Sequence, residues 1–212
     1  METRGRSAMI RGMTIERCRI PLAQVYVALL IALVLFSRSR WMESAPVVAT
    51  SFFAAGVVLV AVAALGRTWC SMYIAGYKGR VLVVEGPYSV CRNPLYFFSM
   101  LGGVGLGLVA KNVTVPLLFL VGFGLYYPLV IRREERALRL AFGKGYDAYE
   151  RVTPRFLPRL SLLREPPEYA VDPRIFRAHL QSAAWFVLLI ALVAIVETLH
   201  DMHVLPSPLA LY

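Results

Sequence analysis

Residues 86–96 read Gly-Pro-Tyr-Ser-Val-Cys-Arg-Asn-Pro-Leu-Tyr and lie where a basic loop leads into an apolar segment that continues to Ala110. Asn93 is a residue type that caps helices by accepting from a free backbone N–H, and Pro94 suits the first helical position, where no N–H is needed. The stretch therefore predicts that a helix begins at Pro94. Because a helix N-terminus presents unpaired N–H groups and a partial positive charge, we expect part of any cofactor site to lie here.

Outward from this stretch, the chain has the composition of an integral membrane protein. Of its 212 residues, 58% are hydrophobic and 17% are charged, whereas a soluble domain averages just under half apolar and about a quarter charged residues. The apolar segments that approach the ~20 residues needed to cross a bilayer are residues 20–36, 47–66, 94–110, 113–131 and 183–199. The expected fold class is all-α, an integral membrane helical bundle with about five transmembrane helices and a cytoplasmic helical segment.

The positive charge predicts how these helices are oriented. Lys and Arg number 23 against 13 Asp and Glu, which gives a net charge of +10. If the segments alternate across the membrane, one side holds residues 1–19, 67–92 and 132–177. Of the basic residues, only Arg38, Arg40 and Lys111 fall on the other side. Since cytoplasmic loops are enriched in Lys and Arg, we expect the basic side in the cytoplasm. No nucleic-acid recognition motif accompanies the charge, so we do not expect nucleic-acid binding.

Two blocks of residues on this basic side form a recognisable pattern. The first block is Gly86-Pro87-Tyr88 followed by Arg92-Asn93-Pro94-Leu95-Tyr96. The second block is Glu134-Glu135, then Leu138, Phe142-Gly143, Tyr146, Tyr149, Val152 and Arg155-Phe156-Leu157-Pro158. Together they resemble the isoprenylcysteine carboxyl methyltransferase and phospholipid methyltransferase superfamily of integral membrane methyltransferases. Its signature is similar to the first block, with Asn common in bacterial members at a position where others have His.

The resemblance implies S-adenosylmethionine as the cofactor, bound at the cytoplasmic membrane surface. The family's cofactor contacts fall on Arg80, Val81, Leu82, Val83, Tyr88, Asn93, Pro94, Leu95, Tyr96, Glu134 and Glu135. Arg92 and Arg132 are the candidate catalytic residues. In physical terms, the helix start suits the cofactor's carboxylate, and the two glutamates supply acceptors for its amine or ribose. The rings of Tyr88 and Tyr96 suit an adenine or a sulfonium cation.

Several of these assignments leave an alternative open. Arg92 is also compatible with a positive-inside anchor at the membrane surface. Glu134 and Glu135 are also compatible with the solvated face of a surface helix, in which Glu135 pairs with Arg139 four residues later. Cys91 lies inside the first block, but we favour a small apolar filler over a nucleophile, because no nearby His stands ready to activate it. The cysteine spacings predict neither a disulfide framework nor a metal site.

The expected function is methyl transfer from S-adenosylmethionine to a lipophilic acceptor that enters from the bilayer. In the carboxyl methyltransferases, an arginine one helical turn before the cofactor glutamate holds the acceptor carboxylate. Here that position is Val130, and Asn93 replaces His. Both departures argue against a prenylcysteine carboxylate, so O-, N- and S-methylation all stay open. The alternatives are a phospholipid N-methyltransferase and a catalytically inactive membrane scaffold of the same fold, which would bind no cofactor.

The chain is expected to divide into three parts. Residues 1–19 form a basic cytoplasmic segment, and residues 20–158 form the membrane core with four spans and both blocks. Residues 159–212 form a proline-rich linker and an additional span, which is either an oligomerisation element or a lid on the pocket. We expect a multi-pass membrane protein, of the inner membrane in a bacterium, with its site on the cytoplasmic face.

Overall fold

The computed structural model describes residues 23–75, 77 and 80–212, with the backbone only for residues 179, 182, 183 and 201. Helices dominate the structure, as predicted. They are α1 (Ala23–Leu35), α2 (Trp41–Ser44), α3 (Pro46–Ile74), α4 (Pro87–Val90), α5 (Pro94–Val109), α6 (Thr114–Phe142), α7 (Lys144–Val152) and α8 (Pro173–Asp201). A 3-10 turn covers Leu160–Leu162, and two short strands, β1 (Ser37–Ser39) and β2 (Leu209–Leu211), pair in parallel. The predicted basic segment 1–19 and the first residues of the first predicted span lie outside the described residues.

Proline begins several of these helices, where its missing N–H has no intrahelical partner to lose. The helices concerned are α3, α4, α5 and α8. α5 therefore begins at Pro94, as the sequence predicts. α6 joins the fourth predicted span to the basic segment that follows it in one helix of 29 residues, which continues through Pro128.

The number of membrane-crossing helices differs from the expectation. Among the described residues, two helices are long and apolar enough to cross a membrane, Pro46–Ile74 and Thr114–Phe142, with 29 residues each. At ~1.5 Å per residue, each is about 44 Å long, which exceeds the roughly 30 Å of a hydrocarbon core. The remaining apolar helices are shorter: Ala23–Leu35, Pro94–Val109 and Ala184–His200. The 16 residues of α5 cover only about 24 Å, so the predicted count of about five spans is not confirmed.

The loops that the charge pattern assigns to the less basic side meet at one end of the bundle. Ser37 in β1 pairs with Leu209 in β2. The carbonyl of Tyr212 accepts from the backbone N–H of Val113 at 2.8 Å. The connection after α1, the turn between α5 and α6, and the C-terminal tail therefore lie together. Which face of the membrane this end occupies stays a prediction.

α5 packs against α3, α6 and α8, and its glycines make these contacts possible. A Cβ on Gly56 of α3 would lie 2.7 Å from the carbonyl oxygen of Gly105, so the two backbones touch. The other α5 glycines lie against bulky side chains of α6 and α8, in the pairs Gly103–Phe119, Gly107–Pro116 and Gly102–Phe186. Small residues allow such close approach between membrane helices. The tight packing predicted from the glycines of α5 and from Gly56 is confirmed.

We expect Gly56→Ala to lower the thermal unfolding midpoint of the purified protein in detergent. The added Cβ would lie 2.7 Å from backbone atoms of α5, which cannot move without separating the two helices. Overpacking of this kind costs about 1–3 kcal/mol. Gly124→Ala in α6 is the matched control, since nothing lies within 4 Å of its Cβ position. Equal midpoints for the two variants would contradict the close α3–α5 contact.

Candidate functional site

The glycines of the two blocks are required by backbone geometry. Gly86 has a φ of +57°, and a Cβ there would lie 2.3 Å from the Tyr73 ring. Gly143 has a φ of +50° and turns the chain from α6 into α7. Residues with a side chain rarely adopt this part of φ/ψ space. Both motif glycines therefore shape the chain around the site.

The end of the second block and the chain just after it run along the first block. The backbone N–H of Gly86 donates to the carbonyl of Arg164, and that of Arg92 donates to the carbonyl of Pro154, both at 2.8 Å. The hydroxyl of Ser89 accepts from the backbone N–H of Arg164 at 3.0 Å. These bonds fix the position from which α5 starts.

Asn93 occupies the N-cap position of α5, but its side chain makes no capping hydrogen bond. Its Nδ2 instead donates to Glu135 Oε1 at 3.1 Å and to the carbonyl of Arg155 at 2.9 Å. The prediction that Asn93 caps the helix by accepting from an N–H is therefore wrong, because a buried carboxylate and a carbonyl of the second block bind the amide. As a consequence, the first turn of α5 has no capping side chain in the described part of the chain.

A network of ion pairs centred on two buried side chains joins the two blocks. Arg92 Nη1 lies 2.5 Å from Glu150 Oε1 and 3.6 Å from Glu135 Oε1, and Arg155 Nη2 lies 2.8 Å from Glu135 Oε2. The side chains of Arg92 and Glu135 are only 9% and 10% exposed. Arg139 contacts Glu150 rather than serving as the surface partner of Glu135. Arg92 is thus not an exposed membrane anchor, and Glu135 does not lie on a solvated helix face.

Between the blocks lies a cavity of about 120 Å³, which we call the motif cavity. It is lined by every predicted cofactor residue except Arg80 and Glu135. Its other lining residues are Arg92, Ile74, Leu138 and Tyr149. Sequence reasoning missed the last three as site residues. Leu138 follows Glu134 by one helical turn and so shares its face of α6, and Tyr149 belongs to the second block, but no motif marks Ile74.

The motif cavity combines an acid, a helix start and aromatic rings. Tyr96 Oη donates to Glu134 Oε2 at 2.8 Å, and Tyr149 Oη donates to the carbonyl of Tyr88 at 2.6 Å. Burial raises the pKa of Tyr88 and of Tyr149, so both phenols are neutral at physiological pH. This donor and acceptor set fits a zwitterionic ligand with an aromatic portion. The volume is below the roughly 300 Å³ at which small-molecule pockets begin, so the cavity as it stands holds only part of a nucleoside-sized ligand.

A second cavity, of about 390 Å³, also has Arg92 in its wall, and we call it the arginine cavity. Arg92 lines both cavities, whereas Arg132 and Glu135 line only the arginine cavity. The two candidate catalytic residues are therefore brought together here. Arg80 is exposed and lines neither of these two cavities. The cofactor roles of Arg80 and Glu135 stay predictions, as do those of the residues that line the motif cavity.

Cys91 is fully buried inside the first block. Burial raises the pKa of its thiol to about 12. Because the thiolate is the nucleophilic form, this thiol is unreactive at neutral pH. The structure accords with the interpretation of Cys91 as a small apolar filler.

Comparisons with known proteins agree with the blocks. The phospholipid methyltransferase family matches residues 44–145. The cobalt-zinc-cadmium resistance protein CzcN of Cupriavidus metallidurans is 38% identical over 197 residues, which cover 93% of this chain and 90% of the relative. The nickel-cobalt-cadmium resistance protein NccN of Alcaligenes xylosoxydans xylosoxydans is 35% identical over 193 residues, which cover 91% and 89%. No solved structure matches the chain.

We expect Glu135→Gln to lower the free energy of unfolding by about 1–3 kcal/mol. Arg155 loses its carboxylate partner, and the buried Arg92 keeps only that of Glu150. Glu43→Gln is the matched control. The ion pair of Glu43 with Arg38 is exposed, with 63% and 56% of the side chains accessible, and such pairs contribute about 0–1 kcal/mol. Chemical denaturation of the purified variants measures both losses. Equally small losses would show that the buried network adds no more than a surface pair.

Proposed function

Because the chain belongs to the phospholipid methyltransferase family of integral membrane methyltransferases, we propose that it transfers a methyl group from S-adenosylmethionine to a lipophilic acceptor at the cytoplasmic membrane surface. The observation that carries this proposal is the motif cavity. It is lined by residues 81–83, by Tyr88, by the start of α5 and by Glu134. Glu134 lies 38 positions beyond Tyr96 in the sequence, and these are the residues to which the resemblance assigns the cofactor.

The residues of the motif cavity suit the chemical parts of this cofactor. The uncapped first turn of α5, at Leu95 and Tyr96, offers N–H groups and a partial positive charge to a carboxylate. Glu134, oriented by the Tyr96 hydroxyl at 2.8 Å, offers a charged acceptor to an ammonium group or to ribose hydroxyls. The ring of Tyr88 and the apolar side chains of residues 81–83 suit an adenine.

When bound, S-adenosylmethionine supplies a methyl group on a sulfonium that is already activated for displacement. The chain itself therefore needs no acid–base pair and contributes mainly by orienting the reactants and excluding water. The neutral phenols of Tyr88 and Tyr149 and the protonated Cys91 are consistent with such a role. Arg92 and Glu134 are the charged side chains that line the motif cavity.

Two observations support a lipophilic acceptor. The candidate membrane helices α3 and α6 expose large apolar side chains, among them Leu65 and Leu125, each 72% exposed, as expected of surfaces that face lipid. α6 also carries both its apolar stretch and Glu134, so the motif cavity lies close to where the apolar stretch ends.

The two relatives are named as resistance proteins for divalent metals. We infer that methylation of a membrane component serves such resistance here.

Calorimetric binding of S-adenosylhomocysteine to the detergent-solubilised protein tests the cofactor assignment. We expect Glu134→Gln to weaken binding about tenfold or more, because a charge-assisted hydrogen bond is lost. Tyr96→Phe keeps the ring but removes the hydroxyl that orients Glu134, so we expect a smaller, roughly several-fold fall in cofactor affinity. Glu168→Gln, which alters an exposed acid that does not line the motif cavity, is the control. Unchanged affinity in a folded Glu134→Gln protein would contradict the assignment of Glu134 as a cofactor-binding residue. No binding to folded wild-type protein would favour the inactive scaffold.

A labelling experiment identifies the acceptor class. We expect a radiolabelled methyl group from S-adenosylmethionine to enter the lipid-extractable fraction of membranes that contain the protein, and not to do so with Glu134→Gln. Label in purified phosphatidylethanolamine would establish the phospholipid N-methyltransferase alternative. Label confined to the aqueous fraction would contradict a lipophilic acceptor.

A further inference from the structure

The arginine cavity has more positive charge than its own carboxylates can neutralise. Five arginines and two glutamates line its volume of about 390 Å³. Glu135 contacts Arg92 and Arg155, and Glu150 contacts Arg92 and Arg139, so the two acids are shared among three arginines. The lining residues alone leave an excess of positive charge.

The excess is concentrated on two neighbouring positions of α6. Arg132 and Arg136 have no carboxylate partner in the part of the chain that the structure describes, and Arg136 Nε donates to the backbone carbonyl of Arg132 at 3.2 Å. They are four residues apart, so they lie on one face of the helix. Two guanidinium groups on one face of a cavity form a strong site for an anion.

Two arginines of the cavity also have a buried N–H donor without a partner in the described part of the chain. Arg92 Nε and Arg155 Nε are buried and have no hydrogen-bond partner among the described residues. Buried N–H groups are normally paired, and an unpaired one is costly. An anion beside these side chains would lower that cost by supplying negative charge and acceptors.

The position of the cavity favours phosphate as the anion. Arg132 directly follows Ile131, where the apolar stretch of a candidate membrane-crossing helix ends. Where such a helix crosses a bilayer, long basic side chains near its end reach the headgroup interface, and this is where lipid phosphates lie. A phosphate offers enough oxygens for more than one bidentate guanidinium contact, whereas a carboxylate offers only two.

We propose that the arginine cavity is a binding site for a phosphate group, and that the source is the headgroup of an acidic membrane phospholipid. The site goes beyond the methyl transfer, since it concerns binding alone and involves residues that do not line the motif cavity. Arg92 is the exception, because it forms a wall of both cavities. A lipid headgroup bound here would therefore lie next to the motif cavity.

The test measures the thermal unfolding midpoint of the full-length protein in uncharged detergent as a ligand is titrated. The ligands are dioctanoyl phosphatidylglycerol, inorganic phosphate, and dioctanoylglycerol, which has the same tails without a phosphate. We expect phosphatidylglycerol to raise the midpoint saturably and dioctanoylglycerol to leave it unchanged. The double variant Arg132→Gln/Arg136→Gln should weaken this apparent affinity about tenfold or more. Both side chains are exposed, so their loss leaves no buried carboxylate unpaired.

The matched control is Arg151→Gln/Arg159→Gln, which removes the same charge from two exposed arginines that do not line the cavity. It should bind phosphatidylglycerol as the wild type does. Saturable stabilisation by inorganic phosphate at similar concentrations would support the phosphate site but assign it to free phosphate. Equal weakening in both double variants, or equal effects of the phosphorylated and neutral lipids, would overturn the proposal. S-adenosylhomocysteine binding is measured on the same samples. If the cofactor analogue binds but the lipid result is negative, only the phosphate site is overturned and the methyltransferase assignment stands.

Discussion

The buried carboxylate of Glu135 is the interaction on which the site depends. Its side chain is 10% exposed and meets Arg92, Arg155 and the amide of Asn93. A buried charge is tolerated only where opposite charge and hydrogen bonds surround it. α6 can therefore lie against the start of α5 in only one rotation about its axis, because other rotations would leave this carboxylate without partners. The ion pairs thus fix the rotation of α6 about its axis, and apolar packing along the bundle alone would not fix it.

The fixed rotation of α6 gives neighbouring residues different surroundings. Consecutive side chains on a helix point about 100° apart. With Glu135 turned toward the arginines, Glu134 lines the motif cavity and accepts from Tyr96 at 2.8 Å. The arginine cavity is lined by Glu135 together with three arginines of the same helix at helical spacing, Arg132, Arg136 and Arg139. One helix therefore divides two chemically distinct spaces, one lined by Glu134 and one with excess positive charge.

Features that obey local rules could be predicted from the sequence, and features that depend on distant partners could not. Pro94 begins α5 because the first helical position needs no backbone N–H, and Gly56 marks a close helix contact because it lacks a side chain. The partners of Asn93 lie 42 and 62 positions away, so no local pattern reveals them. The β1–β2 pair escaped prediction because Ser-Arg-Ser has no strand preference and pairs only where the C-terminal tail meets it.

Arg92 lies between the two cavities, and its charge affects both. A free arginine beside the motif cavity would repel a sulfonium, because like charges in a poorly solvated site disfavour each other. Glu150 at 2.5 Å and Glu135 at 3.6 Å offset that repulsion. An anion in the arginine cavity would offset it further, so headgroup binding and cofactor binding would favour each other, and such coupling is reciprocal. Since arginine does not give up its proton, its contribution to methyl transfer is electrostatic and positional rather than acid–base.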